Sequence, residues 1–544
     1  MAARQSYFAW LGLCIGLATI SLATGCGGAG SSPNPTPTPT PTPTPSTTNQ
    51  WTWVRGAEAD DPTPYGWAGP GSEPYNSDPW YGTQGTPIPY NGKGAGTVPG
   101  GRNSSASWTD KSGNLWLFGG QGLDANVNDS FLNDLWEYTA STNEWTWVGG
   151  SNTGGTNYDG LYVVYGQSGI YGTKGTAAPS NVPGGRELPL SFTDSAGNFW
   201  LFGGVGFDST GVVGFLNDLW EFNPTSKKWT WMSGSSIVGS NPAAQMGIYG
   251  TQGTPSAANV PPGLQKAIGW IDKNNNIWIF GGNGPDLNGG LYALDNLWEF
   301  TPSTGEWTWV NGPGDVAGGG TVGAGVYGSL GVPAQGNIPG ARFSSTSWID
   351  TSGNLWLFGG FGSGAIGPDG QVGQNVLNDL WKFDPTTELW TWMAGAAGGT
   401  YNGPGDLFPP TAVYGTQGVA ASGNTPGGRE DSAGWTDSEG NFWLFGGDGL
   451  DSTGYFGYGP LNDLWKFNVA ANEWTWVSGS DLSSQGGTYG VEGTPASANI
   501  PGGRYNSAAW VDPSGDFWIF AGWGLITPAN GGSTTLNDLW RYHP

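Results

Sequence analysis

The Trp of the motif Leu-Asn-Asp-Leu-Trp falls at Trp136, Trp220, Trp381, Trp465 and Trp540, and at Trp298 in the variant Leu-Asp-Asn-Leu-Trp, at intervals of 75 to 84 residues. Ahead of each Trp stands a glycine pair, Gly119/Gly120, Gly203/Gly204, Gly281/Gly282, Gly359/Gly360 and Gly446/Gly447, with Ala521/Gly522 as the sixth. A unit repeated six times restricts the chain to an architecture in which each copy buries its apolar face against its neighbours.

Each copy reads as four short strands. In the first they are Ser-Ala-Ser-Trp-Thr-Asp ending at Asp110 (strand a), Asn114–Phe118 (b), Leu132–Tyr138 (c) and Trp145–Val148 (d). The aromatic and β-branched content with alternation fits strands of four to seven residues. The constant spacing from Asp110 to Asn114, with Gly113 before the second strand, is turn chemistry: Asp caps the backbone and Gly takes positive φ. An equally constant spacing separates Tyr138 from Trp145, Phe222 from Trp229, Phe300 from Trp307, Phe383 from Trp390 and Phe467 from Trp474. It sets each pair as packing partners on adjacent strands. The last copy ends after strand c, at His543 and Pro544, and the missing strand d is supplied by Trp51-Thr-Trp-Val54 at the other end.

These residues resemble the kelch repeat, which opens strand a with Arg, closes strand b with a diglycine and places Tyr or Phe and then Trp on strands c and d. The resemblance covers nearly all of residues 51–544. It implies an all-β, six-bladed kelch-type β-propeller closed by the N-terminal strand. The third copy departs from the pattern, with Leu264 in place of Arg and Asp295-Asn296 in place of Asn-Asp.

Residues 1–26 read as an export signal, with Arg4 ahead of an apolar Tyr7–Ala23 that is short for a membrane span. Leu22-Ala-Thr-Gly-Cys26 resembles a bacterial lipobox, which implies lipidation of Cys26; an ordinary cleaved signal with an incidental Cys is the alternative. Residues 27–50 form a Gly/Ser and Thr-Pro spacer, too poor in apolar residues to pack a core. The expected protein is exported to a bacterial cell envelope and anchored by lipid to the outer membrane or cell surface.

Composition removes several function classes. A net charge of −25 argues against nucleic acid and against electrostatic attraction to anionic lipid. Cys14 and Cys26 are the only cysteines, and His543 is the only histidine. The repeats therefore lack a thiol nucleophile, a Ser-His-Asp triad and the usual zinc ligands. Kelch propellers include copper radical oxidases, but the Cys–Tyr crosslink and two His ligands that these need are missing. No cofactor and no metal are implied, and the chain is expected to act as a monomer.

In a propeller the a–b and c–d turns share one face, and the long b–c and d–a connections share the other. Elaboration is thus confined to one face, where binding usually resides. Parts of the d–a connections repeat, as in Tyr171-Gly-Thr-Lys-Gly and Tyr249-Gly-Thr-Gln-Gly, which marks them as structural packing between blades. The variable remainder, such as Asn152–Ile170 and Ala396–Ala412, is the better candidate surface. The loop acids Asp124, Asp129, Asp208, Asp286 and Asp451 suit either Ca²⁺ ligation or plain turn capping, and their spacing favours capping.

Five of the eight arginines, Arg102, Arg186, Arg342, Arg429 and Arg504, open strand a. They are the ligand-binding candidates: the resemblance places strand a innermost, so a ring of guanidiniums at the channel mouth would hold a carboxylate or sulfate. The competing reading pairs each with Asp134, Asp218, Asp379, Asp463 or Asp538, which recur in step. No carboxylate pair stands out from the repeats as catalytic, and no enzyme activity is expected. The expected function is a surface-anchored binding or scaffolding module for a glycan or protein ligand. A carboxylate-based carbohydrate-active enzyme on the long-loop face and a purely structural envelope protein are the alternatives.

Overall fold

The computed structural model describes residues 48–56, 79–89, 96–158, 163–238, 245–313, 323–367, 372–398, 400–401, 407–525 and 533–544. The chain divides into Met1–Ser46 and Thr47–Pro544, and all described residues lie in the second unit. The expected signal peptide, Cys26 and most of the spacer therefore lie outside the described residues, as do parts of both variable segments, 152–170 and 396–412. Among the described residues no helix is long and apolar enough to cross a membrane.

The protein is all-β, built of repeated antiparallel sheets. Sheet 1 contains Ala106–Thr109, Leu115–Leu123, Asp129–Thr139 and Glu144–Gly149 as its strands a to d. Sheet 2 has Leu190–Thr193, Phe199–Phe202, Leu219–Asn223 and Lys228–Ser233. Sheet 3 has Ile268–Ile271, Ile277–Phe280, Leu297–Thr301 and Glu306–Asn311. Sheet 4 has Thr346–Ile349, Leu355–Ser363, Gln374–Asp384 and Leu389–Ala394. Sheet 5 has Ala433–Thr436, Phe442–Phe445, Leu464–Asn468 and Glu473–Ser478. Sheet 6 takes Ala508–Val511, Phe517–Phe520 and Leu539–His543 from the C-terminal end, and its fourth strand is Gln50–Arg55, antiparallel to Leu539–His543 with Trp53 opposite Trp540.

The strands exceed the sequence-based expectation at one end, for a local reason. Gly119 and Gly120 have φ of 63° and 93°. A Cβ on Gly119 would lie 2.8 Å from the Leu132 carbonyl oxygen, and one on Gly120 would lie 2.3 Å from Ser105 Oγ. Backbone and space both favour glycine here, and only the sixth pair has another residue, Ala521, at its first position. The pair bends strand b without ending it, so Gln121 and Gly122 go on to pair with Asn103 and Arg102. Strand a is broken at the same level by Ser104, whose φ is 60°.

That break recurs. Ser104, Leu188, Lys266, Ser344, Asp431 and Asn506 all have φ between 53° and 60°. Each donates its backbone N–H to the carbonyl of the equivalent residue in the preceding sheet: Leu188 to Ser104, Lys266 to Leu188, Ser344 to Lys266, Asp431 to Ser344, Asn506 to Asp431 and Ser104 to Asn506. The distances are 2.9–3.4 Å, and the series returns to its start. Left-handed backbone at non-glycine residues costs of order 1 kcal/mol each. The hydrogen bond gained at every position offsets it. The strands a follow the same order, each contacting the two neighbouring strands a, with sheet 6 against sheet 1.

The core lies within and between the sheets. The expected partners pack as tilted ring pairs: Tyr138 on Trp145 at 5.1 Å, Phe222 on Trp229 at 4.9 Å, Phe383 on Trp390 at 5.0 Å. A second series joins neighbours, strand b of one sheet to strand d of the next: Phe118–Trp229, Phe202–Trp307, Phe280–Trp390, Phe358–Trp474, Phe445–Trp51 and Phe520–Trp145, all 5.2–5.6 Å between centroids. Aromatic pairs at these distances add about 0.5–1.5 kcal/mol each beyond area burial. Trp51 takes part in both series, packing against Tyr542 and Phe445. Deleting residues 1–55 therefore exposes the edge of Leu539–His543 and removes two buried tryptophans, Trp51 and Trp53. The expected outcome is a Tm lower by at least several degrees and concentration-dependent light scattering; an unchanged melting curve would contradict the pairing.

Candidate functional site

Every strand-a arginine is buried in a bidentate ion pair. Arg102 Nη1 and Nη2 donate to Asp134 Oδ1 and Oδ2 at 2.7 and 2.8 Å. Nη1 also donates to the Gly119 carbonyl and Nε to the Gly100 carbonyl, both at 3.1 Å. Asp134 Oδ2 further accepts the Tyr81 hydroxyl and the Trp136 indole N–H, each at 2.7 Å. The arrangement repeats as Arg186–Asp218 with Tyr171 and Trp220. It returns as Arg342–Asp379 with Tyr327 and Trp381, Arg429–Asp463 with Tyr414 and Trp465, and Arg504–Asp538 with Tyr489 and Trp540. All five guanidiniums are at most 1% exposed.

This places the arginine set differently from the ligand-ring expectation. Arg102, Arg186, Arg342, Arg429 and Arg504 are enclosed, and their donors go to protein oxygens. Burial alone would lower the Arg102 pKa, but attraction to Asp134 outweighs it and the pKa is raised. The paired Tyr81 hydroxyl is pushed well above its ordinary value by burial and by Asp134. The repeated Tyr-Gly-Thr segments are structural, as expected: Tyr81 docks on Trp136 and Trp147 of the sheet that follows it, within a core cluster that also takes in residues of sheet 6. In sheet 3 both ions are exchanged together: Leu264 replaces the arginine, and Asn296 accepts the Tyr249 hydroxyl at 3.1 Å.

The loop acids divide. Asp124 accepts the backbone N–H of Asn126, Asn128 and Gly154, and Asp208 those of Thr210, Val212 and Val238, at 2.7–2.9 Å. Asp286 and Asp451 cap their hairpins in the same way. All four are buried turn caps. Asp129 stands apart, at the start of strand c of sheet 1, with Gln121 donating to it at 3.1 Å.

It belongs to a cluster at the inner ends of the sheets, beside the ring of backbone hydrogen bonds. Lys266 Nζ lies 2.7 Å from Asp431 Oδ2 and 3.9 Å from Glu430 Oε2, over the Phe343 ring at 5.8 Å. Asn506 Nδ2 donates to the same Asp431 oxygen at 3.2 Å. Burial raises the carboxyl of Glu187 to about 7, with Lys266 opposing and Asp129 adding. Burial raises Glu430, with Asp431 and Asp448 adding to the effect, and burial with Asp431 raises Asp448 to about 6. Tyr458, itself half exposed, and Tyr505 are raised by burial and by these same carboxylates. Several carboxylates around one ammonium cannot all ionise at low cost. The cluster therefore holds acids that exchange protons near neutral pH, hydrogen-bond donors and acceptors, and aromatic edges.

The sequence carries a signal for this cluster in the differences between repeats, not in what they share. The two positions after each strand-a arginine, or after Leu264, read Asn-Ser, Glu-Leu, Gln-Lys, Phe-Ser, Glu-Asp and Tyr-Asn in sheets 1 to 6. Backbone geometry there is constant while chemistry changes from sheet to sheet. Two cavities lie elsewhere: one of about 470 Å³ between sheets 1 and 2, including Gln84, Asn181 and Trp229, and one of about 430 Å³ among the a–b turns of sheets 2, 3 and 4. The carboxylates of the second, Asp194, Asp272 and Asp350, are committed to turn N–H groups and to Trp200, Trp278 and Trp356.

No family model and no curated protein matches the sequence. Among solved structures, a chain titled "Structure of YjhT" aligns at 14% identity with a TM-score of 0.42, covering 81% of this chain and 95% of that one.

Sheet 3 suggests how to test the ion pairs. Arg429→Ala should cost about 3–5 kcal/mol by stranding Asp463. The double variant Arg429→Leu/Asp463→Asn, which copies sheet 3, should recover most of that loss. Denaturant unfolding of the two variants beside wild type measures the difference; equal losses would mean that the pair is not the cause.

Proposed function

We propose that the chain is a six-bladed kelch-type propeller, closed by Gln50–Arg55, that serves as a binding or scaffolding module for a glycan or another protein. Its ligand contacts the cluster of Glu187, Lys266, Glu430, Asp431, Asp448 and Tyr458 on the long-loop face. One observation carries this reading. It is a titratable cluster that does not repeat, set on sheets whose fully buried ion pairs recur in register. Repeated groups serve the repeat, whereas a constellation drawn from three sheets with different residues from each suits a ligand. Carboxylates beside exposed aromatic edges are suited to sugar hydroxyls and ring faces.

Binding of purified residues 47–544 to a mixed glycan and peptide array, followed by calorimetry on any hit, tests it. Glu430→Gln combined with Lys266→Met should weaken binding at least tenfold while Tm changes little, because neither residue belongs to the buried Arg–Asp pairs. A hit whose affinity is untouched by the double variant moves the site elsewhere.

A second reading is favoured by Glu187 and Glu430, whose carboxyls are held above the usual range. Such acids can donate protons near neutral pH, as a carbohydrate-active enzyme requires. Release of reducing ends from a bound polysaccharide separates it from pure binding. A structural envelope protein would show neither binding nor release.

The N-terminal readings extend the proposal: export, lipidation at Cys26 and a spacer that holds the repeats away from a membrane. In a bacterial host, Cys26→Ser should move the protein from the membrane fraction to the soluble extract. Retention in the membrane fraction would count against the lipid anchor.

A further inference from the structure

Sheet 3 differs from its neighbours at a second position. In sheets 1, 2, 4 and 5 the residue before the conserved Asp is an asparagine, namely Asn133, Asn217, Asn378 and Asn462. Each accepts one backbone N–H through its Oδ1, from Ser151, Ser235, Ala396 or Ser480, at 3.0–3.1 Å. Each donates through its Nδ2 to a proline carbonyl of the following connection: Pro183, Pro261, Pro426 or Pro501, at 3.2–3.3 Å. The amide thus ties the root of a long connection to the next one.

Sheet 3 has Asp295 at this place, and both bonds are lost. The residue corresponding to Ser151 is Pro313, which has no N–H to give. A carboxylate has no hydrogen to donate to the proline carbonyl. Asp295 is nevertheless 4% exposed. The arginine that would be the nearest cation in any other sheet is Leu264, also buried. Asp295 and Asp286 both act on the Tyr249 hydroxyl, and among the described residues no cation stands beside Asp295. Burial holds the Asp295 carboxyl at about 7, opposed only by its own backbone N–H.

We propose that Asp295 makes sheet 3 a proton-operated latch: the sheet is held closed while the carboxyl carries its proton and loosens locally when it ionises. A protonated carboxyl regains one donor and so resembles the asparagine of the other sheets. An ionised one is a buried charge with no cation beside it among the described residues, and relief comes from opening towards water. The sign follows from linkage. The closed form binds the proton more tightly than the open form, so opening releases a proton. Opening grows as pH rises from the ordinary aspartate range to about 7 and levels off above it. No other sheet carries the device, so the response is confined to one sector of the molecule. It does not rest on the proposed ligand site, since none of that site's residues contacts Asp295.

Hydrogen exchange of the full-length protein tests this, read on peptides covering Leu291–Asn311 and corrected with the equivalent peptides of sheet 4, Gln374–Ala394. Between pH 5 and pH 7 the opening constant of sheet 3 should rise roughly 50-fold relative to sheet 4. Asp295→Asn should remove that difference. Asn378→Asp should transplant part of it to sheet 4, which keeps the test informative if the first variant folds poorly. Equal pH dependence in both sheets of the wild type, or a response that survives Asp295→Asn, would overturn the latch.

Discussion

The bidentate pair between the arginine that opens strand a and the aspartate of strand c is the constraint on which the rest of the protein depends. It joins the inner end of a sheet to its third strand, fixes the kinked diglycine through the Gly119 carbonyl and receives the tyrosine of the long connection. The aspartate accepts from three side chains, so the start of strand a, strand c and the long connection meet on one carboxylate. Such a pair is weak evidence of net stability, because desolvating two ions offsets much of their attraction. What it does supply is geometric. A planar fork accepts one arrangement of strands, and five copies impose the same arrangement five times.

Much of this was legible in the chain, and the reason is repetition. The central part of each strand, the Tyr138–Trp145 type of contact, the cap at Asp110 and the pairing of Trp51–Val54 with the last strand all follow from spacings that recur. The partner of each arginine was legible as one of two readings, because Arg and Asp recur in step and vanish together in sheet 3. The cluster around Lys266 was not legible, because its members lie 165 residues apart in the case of Lys266 and Asp431. Only the packing of the sheets against one another brings them together. Repeats announce what they share, and a site assembled from their differences is hidden until their relative placement is known.

Sheet 3 makes the same point from the opposite side. It has lost the buried ion pair and keeps its fold, with Leu264 and Asn296 filling the space and the Trp298 indole N–H left without a partner. A neutral, well-packed replacement is tolerated where a half-broken pair would not be. The exchange of order at Asp295-Asn296 shows that the frame tolerates a buried acid as well, with a cost that depends on pH.

The six left-handed residues that pass one hydrogen bond from sheet to sheet have a consequence for how such a chain can change in evolution. Each N–H has one acceptor, on the preceding sheet, and the angle between successive donors is set by the number of members. Five or seven members would alter that angle at every joint simultaneously. The ring of peptide groups thus works as a counter. Loops can lengthen and side chains can diverge within any unit, but a whole unit cannot be gained or lost without resetting every joint at once.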